Sequence, residues 1–297
     1  MNDLTDPIQS WQAGGHFCHV DEVELFYRIS NKSNSELPWL VCFHGFPTSS
    51  WDWHLLLPLL RHHYRVLVFD FPGYGLSGKP PGRNYSLTRQ LDAAEALMNY
   101  LSIREFELLA HDMGNSVACE LLYRREQGDY PFELKSLTLL NGGIYMDLHQ
   151  PLLTQRLLRT PLIGSLTARL SSWQIFRRQY PRVYAHPQQF DETHYRSQWA
   201  LMLNNHGRRT LHKVAGYMRE RTRMGDRWTG PLHRLEIPFK VIWGTQDPIA
   251  VPAIADKLLR ANAGAKLYWF EDTGHYPQLE AAEKLAHALL GQSDHCR

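Results

Sequence analysis

Phe106-Glu107-Leu108-Leu109-Ala110-His111-Asp112-Met113-Gly114-Asn115 is the stretch that decides the fold. An apolar run closes on Ala110, and small-x-Asp-x-Gly follows. A segment with apolar residues at helical spacing, 117–125, comes next. Strand, sharp turn and helix in that order lift the apex side chain, here Asp112, clear of the sheet.

Outward from this point the chain alternates. Further strands are predicted at 39–43, 66–70, 134–140, 239–243 and 266–270, all nearly continuous in apolar residues. Such runs suit strands buried on both faces. Helices are predicted at 87–101 and 279–290, with apolar residues at i, i+3 and i+4. Residues 17–28, interrupted by Asp21-Glu22, read as a β-hairpin. The expected architecture is α/β: a mostly parallel eight-stranded sheet flanked by helices. The alternation stops between about Gly143 and Gly230. That stretch has no convincing strand and is broken by Pro151, Pro161, Pro181 and Pro187. It is expected to be a helical lid, 143–229, inserted in a core formed by 1–142 and 230–297.

The chain has 297 residues, with 43% hydrophobic content, enough for a sizeable core. A net charge of +2 gives no global reason to expect nucleic acid or an anionic membrane. Met1-Asn2-Asp3-Leu4-Thr5-Asp6 has no basic stretch leading into an apolar one, so no secretion signal is expected. No apolar run approaches the roughly 18 residues that span a bilayer. Cys18, Cys42, Cys119 and Cys296 show no paired spacing. Cys42 and Cys119 are expected as buried thiols, and the setting as reduced and cytoplasmic. Neither the sequence nor its composition specifies an oligomeric state.

Three polar residues follow apolar runs in an informative order: Asp112 after Ala110, Asp247 in Gly244-Thr245-Gln246-Asp247-Pro248, and His275 in Thr273-Gly274-His275-Tyr276-Pro277. Each stands just past a predicted strand, so all three fall at the carboxyl edge of the sheet. The order nucleophile, acid, histidine is that of an α/β-hydrolase triad. His44-Gly45-Phe46-Pro47, after the strand 39–43, supplies one side of an oxyanion hole through the Phe46 N–H; Met113, after the apex, supplies the other. His44 reads as a residue that holds this loop, and His111 as one packed behind the turn. Ser116 in Gly114-Asn115-Ser116-Val117-Ala118 is a competing nucleophile, but it would need six residues of turn after the strand. Its other reading is the first turn of the following helix.

Residues 44–53 (His-Gly-Phe-Pro-Thr-Ser-Ser-Trp-Asp-Trp), 70–77 (Asp-Phe-Pro-Gly-Tyr-Gly-Leu-Ser), the Asp112 turn, and Gly-x-x-Asp before Gly-His resemble the epoxide hydrolase and haloalkane dehalogenase branch of the α/β-hydrolases. Leu121-Leu122-Tyr123-Arg124, Asn141-Gly142-Gly143-Ile144 and His275-Tyr276-Pro277-Gln278-Leu279-Glu280 are similar to the mesoderm-specific transcript homologue group, a likeness that names no substrate. The resemblance implies a hydrolase that needs no cofactor and no metal and acts on a small apolar organic molecule and water.

An aspartate at the apex changes the chemistry. A carboxylate of pKa about 3.9 is already ionised at neutral pH and needs no base to attack a saturated carbon. The alkyl ester so formed is then hydrolysed by water that His275, oriented by Asp247, deprotonates. The resemblance bears on the leaving group. Dehalogenases of this branch hold halide with side-chain N–H donors after the nucleophile and in the His-Gly-x-Pro loop. Met113 and Phe46 stand there and offer none, although Met113 departs from epoxide hydrolases too, which commonly carry Trp after the nucleophile. Epoxide hydrolases carry Phe at the loop position and use two lid tyrosines as donors. Tyr217, in Gly216-Tyr217-Met218-Arg219, falls near the second, about one residue out of register. Tyr145, Tyr180 and Tyr184 are all open for the first, and any lid tyrosine also reads as packing the lid on the core. Epoxide opening is the preferred reading. A dehalogenase, a carboxylic-ester hydrolase and a non-catalytic binding protein are the alternatives.

The remaining features read as structural. Arg219-Glu220-Arg221-Thr222-Arg223 is expected to be a solvated helix face. Trp51, Trp53 and Trp173 either line a pocket mouth or fill the core. Gly73 and Gly75 serve a tight turn and lack the third glycine of a phosphate-binding loop.

Overall fold

The computed structural model describes residues 4–20, 22–31, 36–128 and 130–291. Met1 to Asp3, Asp21 of the expected hairpin turn, and Cys296 lie outside the described residues.

Eight strands form one sheet: β1 (His16–Val20), β2 (Val23–Ile29), β3 (Trp39–Phe43), β4 (Arg65–Phe69), β5 (Glu105–Ala110), β6 (Glu133–Leu140), β7 (Phe239–Gly244) and β8 (Ala265–Phe270). Their order is β1-β2-β4-β3-β5-β6-β7-β8. The β1–β2 and β2–β4 pairs are antiparallel and the rest parallel. This is the α/β-hydrolase fold, with helices on both faces. The strands read as unbroken apolar runs because alternate residues feed two cores. Val41, Phe43, Leu67, Phe69 and Leu108 point into one, whereas Leu40, Cys42, Val66, Val68 and Leu109 point into the other. Burying each such side chain contributes roughly 1.5–3 kcal/mol.

The helix after the Asp112 turn runs Met113–Glu126, four residues longer at its start than the apolar spacing predicts. Its first turns are buried all round, so no amphipathic stripe marks them. Gly114 is required here: a Cβ would lie 2.4 Å from the Phe43 carbonyl oxygen. Leu87–Tyr100 is capped by Ser86, whose hydroxyl accepts from the Arg89 N–H. The expected helix at 279–290 is two pieces, Pro277–Glu280 and Ala282–Leu289, broken at Ala281 (φ −145°, ψ 46°). An unexpected N-terminal helix, Asp6–Ala13, buries Ile8 and Trp11.

Between β6 and β7 the described chain is helical, with main segments Leu153–Leu158, Ile163–Leu170, Trp173–Gln179, Glu192–Leu203, Gly207–Val214 and Tyr217–His233. Pro181 and Pro187 open short 3₁₀ turns between them. The last helix kinks at Gly225 and continues beyond residue 229 to His233. Leu158, Leu211, Val214, Met218 and Trp228 join the larger sheet-facing core, whereas Tyr180, Val183, Tyr184 and Tyr195 form a separate cluster with Tyr276 and Leu279. No helix among the described residues is long and apolar enough to cross a membrane. Cys18, Cys42 and Cys119 are buried free thiols.

Trp51 and Trp53 belong to the core, and Trp173 packs against an aromatic cluster of the helical stretch. Gly73 and Gly75 have φ of +92° and +47° in the turn after β4. At Gly75 a Cβ would meet the Asp70 carboxylate, which accepts from the N–H groups of Ser50 and Leu76 at 2.6 Å each.

Candidate active site

Asp112 sits between β5 and its helix with φ 45° and ψ −107°, a backbone conformation unfavourable to any L-residue with a side chain. Main-chain bonds hold it there. The His111 N–H donates to Phe43 O and the Asp112 N–H to Asn141 O, each at 3.0 Å. Crowding completes the constraint, because a Cβ on Gly142 would lie 2.9 Å from the Asp112 carbonyl.

The carboxylate is 2% exposed, and Oδ2 accepts the Phe46 N–H at 3.0 Å. A Cβ on Gly45 would be 2.8 Å from Asp112 Cβ, so only glycine lets the two segments approach this closely. Met113 is the first residue of its helix, where an N–H has no carbonyl of that helix to meet. His44 fixes the loop: its Nε2 accepts the Phe71 N–H at 3.0 Å and its Nδ1 donates to Gly45 O at 2.8 Å.

Asp247 and His275 follow β7 and β8. His275 Nδ1 and Asp247 Oδ2 are 2.6 Å apart. Asp247 is itself held by the N–H groups of Ile249 and Ala250 on Oδ1 and by Asn141 Nδ2 on Oδ2. Behind them, His111 Nε2 meets the His275 carbonyl at 2.7 Å. Glu280 accepts the Gly274, Tyr276 and Ala185 N–H groups, fixing the His275 loop to the helical stretch.

The electrostatics divide these groups. Burial alone would raise the Asp112 carboxyl, but Arg221, His275, His111 and the Phe46 N–H outweigh it and hold it below its ordinary value. Burial alone would lower His275. The charge and hydrogen bond of Asp247, with the charge of Asp112, reverse this and lift it to about 8. His111 is pushed down to about 3, by burial first and by His275 second, so it is neutral. The result is an ionised carboxylate and a more basic imidazole, each close enough to shift the other.

The tyrosines separate by position. Tyr217 is buried close to Asp112: burial first and then the Asp112 charge push its phenol up, against the Arg221 charge. Its ring lies 5.5 Å from that of Phe46. Tyr180 lines a cavity of ≈ 110 Å³ that also reaches Phe46, His275 and Tyr276. Tyr184 donates to the Tyr180 hydroxyl at 3.1 Å and lies behind it. Tyr145 is engaged elsewhere, 2.9 Å from His233 Nε2. Apolar side chains such as Leu158, Ile175, Phe176, Met202 and Ile249 dominate the cavity wall, and its tryptophan is Trp199.

The sequence model of the α/β-hydrolase fold matches residues 38–282. The chain belongs to the α/β-hydrolase family. It is 34% identical over 290 residues to the putative hydrolase LipZ of Mycobacterium tuberculosis, covering 97% of this chain and 98% of that one. It is 33% identical over 296 residues to the mesoderm-specific transcript protein of Mus musculus, covering 97% and 88%. Among solved structures it is similar to the haloalkane dehalogenase DbeA from Bradyrhizobium elkani, with TM-score 0.80 at 23% identity, covering 93% of this chain and 96% of that one. At that identity the likeness concerns the fold.

This α/β-fold hydrolase holds site residues that sequence reasoning misplaced. Arg221 and Glu220 are buried, at 3% and 6% exposure, whereas Arg219, Thr222 and Arg223 are exposed. The expected solvated face is therefore interrupted by two inward charges. Arg221 Nη2 donates to the Asp112 carbonyl at 2.8 Å, and Nε to Ser116 Oγ at 2.5 Å. Ser116 thus lies in the first turn of the helix, bound to Arg221. Beside Arg221, His149 is buried and pushed down to about 4, by burial first and then by the Arg221 charge. Among the described residues, no group of His, Cys, Asp and Glu is arranged to hold a metal ion.

Proposed function

We propose that this hydrolase acts through the carboxylate of Asp112, with epoxides as its substrates. The supporting observation is an ionised carboxylate at the apex of the turn, with one oxygen on the Phe46 N–H and the Tyr217 phenol facing it. In this reading 143–229 is the lid, and 1–142 with 230–297 is the core.

An Asp112 oxygen attacks a saturated epoxide carbon. The C–O bond breaks toward the ring oxygen, which takes the Tyr217 proton. His275 then removes a proton from water, and the hydroxide adds to the carbonyl carbon of the Asp112 ester. The tetrahedral oxyanion faces the N–H groups of Phe46 and Met113. Its collapse frees a diol and restores the carboxylate, while the His275 proton returns to the Tyr217 phenolate. The net reaction consumes one water. Phe46 and Met113 bring no side-chain N–H for a halide, which favours an oxygen leaving group over a halogen.

The test is intact mass after incubating His275→Gln with a panel of epoxides and haloalkanes. A substrate turned over by the parent enzyme is expected to leave its mass on Asp112, and Asp112→Asn is expected to gain none. Turnover by the parent with no added mass on His275→Gln would refute the two-step scheme. Hydrolysis of p-nitrophenyl esters that survives Asp112→Asn would favour an ester hydrolase instead.

A further inference from the structure

The helical stretch carries a second surface that the Asp112 chemistry does not use. Leu153, Leu162, Ile163, Leu166, Leu170 and Ile175 are all exposed, Leu162 at 95%. Ile163, Leu166 and Leu170 share one face of helix Ile163–Leu170, whose Gly164 and Ala168 are buried. Helix Leu153–Leu158 packs beside it, turning Gln155 and Leu158 inward and Leu153 outward. Leu162 has φ 68°, a left-handed conformation that leucine rarely takes. Strain and full exposure of an apolar side chain coincide at this residue. Contiguous exposed apolar surface of this kind marks an interaction site.

The charge around it is one-sided. Residues 148–190 contain no Asp or Glu and six arginines: Arg156, Arg159, Arg169, Arg177, Arg178 and Arg182. Among the described residues only Arg177 of these has a carboxylate partner, Glu192 at 2.9 Å. Arg208 of the neighbouring helix reaches the same edge, donating to the Ser171 carbonyl. The chain's net charge of +2 conceals this local excess.

We infer that this face docks on an anionic lipid bilayer. Exposed leucines with exposed arginines on and beside the same helices match acyl chains beneath phosphate headgroups. A second copy of the chain would bring like charges together, and a nucleic acid would leave the leucines in water. The cavity beside His275 reaches this face at Ile175, which is exposed and also part of its wall. Docking opens the apolar cavity toward the acyl layer, whatever bond Asp112 attacks.

Flotation of the full-length protein with phosphatidylcholine vesicles, with and without phosphatidylglycerol, tests this. The protein is expected to float with phosphatidylglycerol vesicles, less with phosphatidylcholine alone, and less at raised salt. Leu162→Asp/Leu166→Asp is expected to weaken binding about tenfold or more. Arg169→Glu/Arg178→Glu is expected to remove the preference for phosphatidylglycerol. Thermal melts check that each variant is folded. If the leucine pair melts early, Leu162→Asp alone carries the test. The inference fails if the parent protein stays unbound, or if the folded leucine variant floats like the parent. It also fails if the leucines drive self-association in light scattering without vesicle binding.

Discussion

Arg221 meets Asp112 through the main chain: Nη2 donates to the Asp112 carbonyl at 2.8 Å and stands 3.7 Å from Oδ1. A buried positive charge thereby sits beside the carboxylate without a close bond to that oxygen. Removing Arg221 takes away the largest of the influences that oppose burial, so the Asp112 carboxyl is expected to rise. Arg221→Met is expected to slow ester formation about 10–100-fold and move the acidic limb of its pH profile upward, with Arg221→Lys in between. Stopped-flow measurements of ester formation across pH check both. A purely structural role would lower the melting temperature but leave the pH profile where it was.

Tyr217 and Tyr180 are expected to differ in effect. Tyr217→Phe removes the phenol that faces Asp112 and should slow epoxide opening by about 10²–10⁴-fold. Halide displacement, which needs no proton, should be little affected. Tyr180→Phe leaves that phenol in place and should act mainly on substrate binding. Rates of mass gain in the His275→Gln background separate the cases.

His275 must be neutral to take a proton from water, and its pKa is raised to about 8. Ester hydrolysis is therefore expected to accelerate with pH and level off below about 8, because esterified Asp112 no longer lends His275 its negative charge. Asp247→Asn should move this limb to lower pH. The stability contribution slopes the other way. The folded chain holds the His275 proton more tightly than the unfolded chain, whose value is 6.5. That contribution is complete below 6.5 and lost as pH rises through about 8. Thermal melts of the parent and His275→Gln between pH 5 and 9 show whether it is present.

Gly114→Ala is a stability prediction independent of any substrate. Its Cβ would fall 2.4 Å from the Phe43 carbonyl oxygen and 2.8 Å from the Phe43 Cβ. Neither neighbour is the end of a flexible side chain. Overpacking of this kind costs about 1–3 kcal/mol, read as a lowered denaturation midpoint. Because the shift would also move the Phe46 loop, activity is expected to fall more than stability alone explains.

The positions of Asp112, Asp247 and His275 are legible in sequence because each follows a strand whose apolar run is unmistakable. Strand order is not, since β4 lies between β2 and β3 for reasons of packing rather than of local spacing. Arg221 is illegible for a different reason. In its own segment it is one charge among four, and only the docking of its helix on the Asp112 helix makes it interior. Asn141 left a trace in its Asn-Gly-Gly segment. What it does, bonding both Gly244 and Asp247, joins residues more than a hundred positions apart. Tyr217 could be named from its neighbourhood, yet its orientation depends on the same docking.

Glu120 is 1% exposed and gathers Arg227, Trp228 Nε1 and Arg124. With Arg221 one turn away from Tyr217, it fastens the Tyr217–His233 helix to the Met113–Glu126 helix. The Leu153–Leu158 and Ile163–Leu170 helices carry no carboxylate of their own. In the proposed reading, reactivity and selectivity are thus written into separate helices. On that reading, substitutions from Leu153 to Gln179 reshape which molecule is admitted while Asp112, His275 and Tyr217 stay in register, which leaves substrate range free to diverge faster than chemistry.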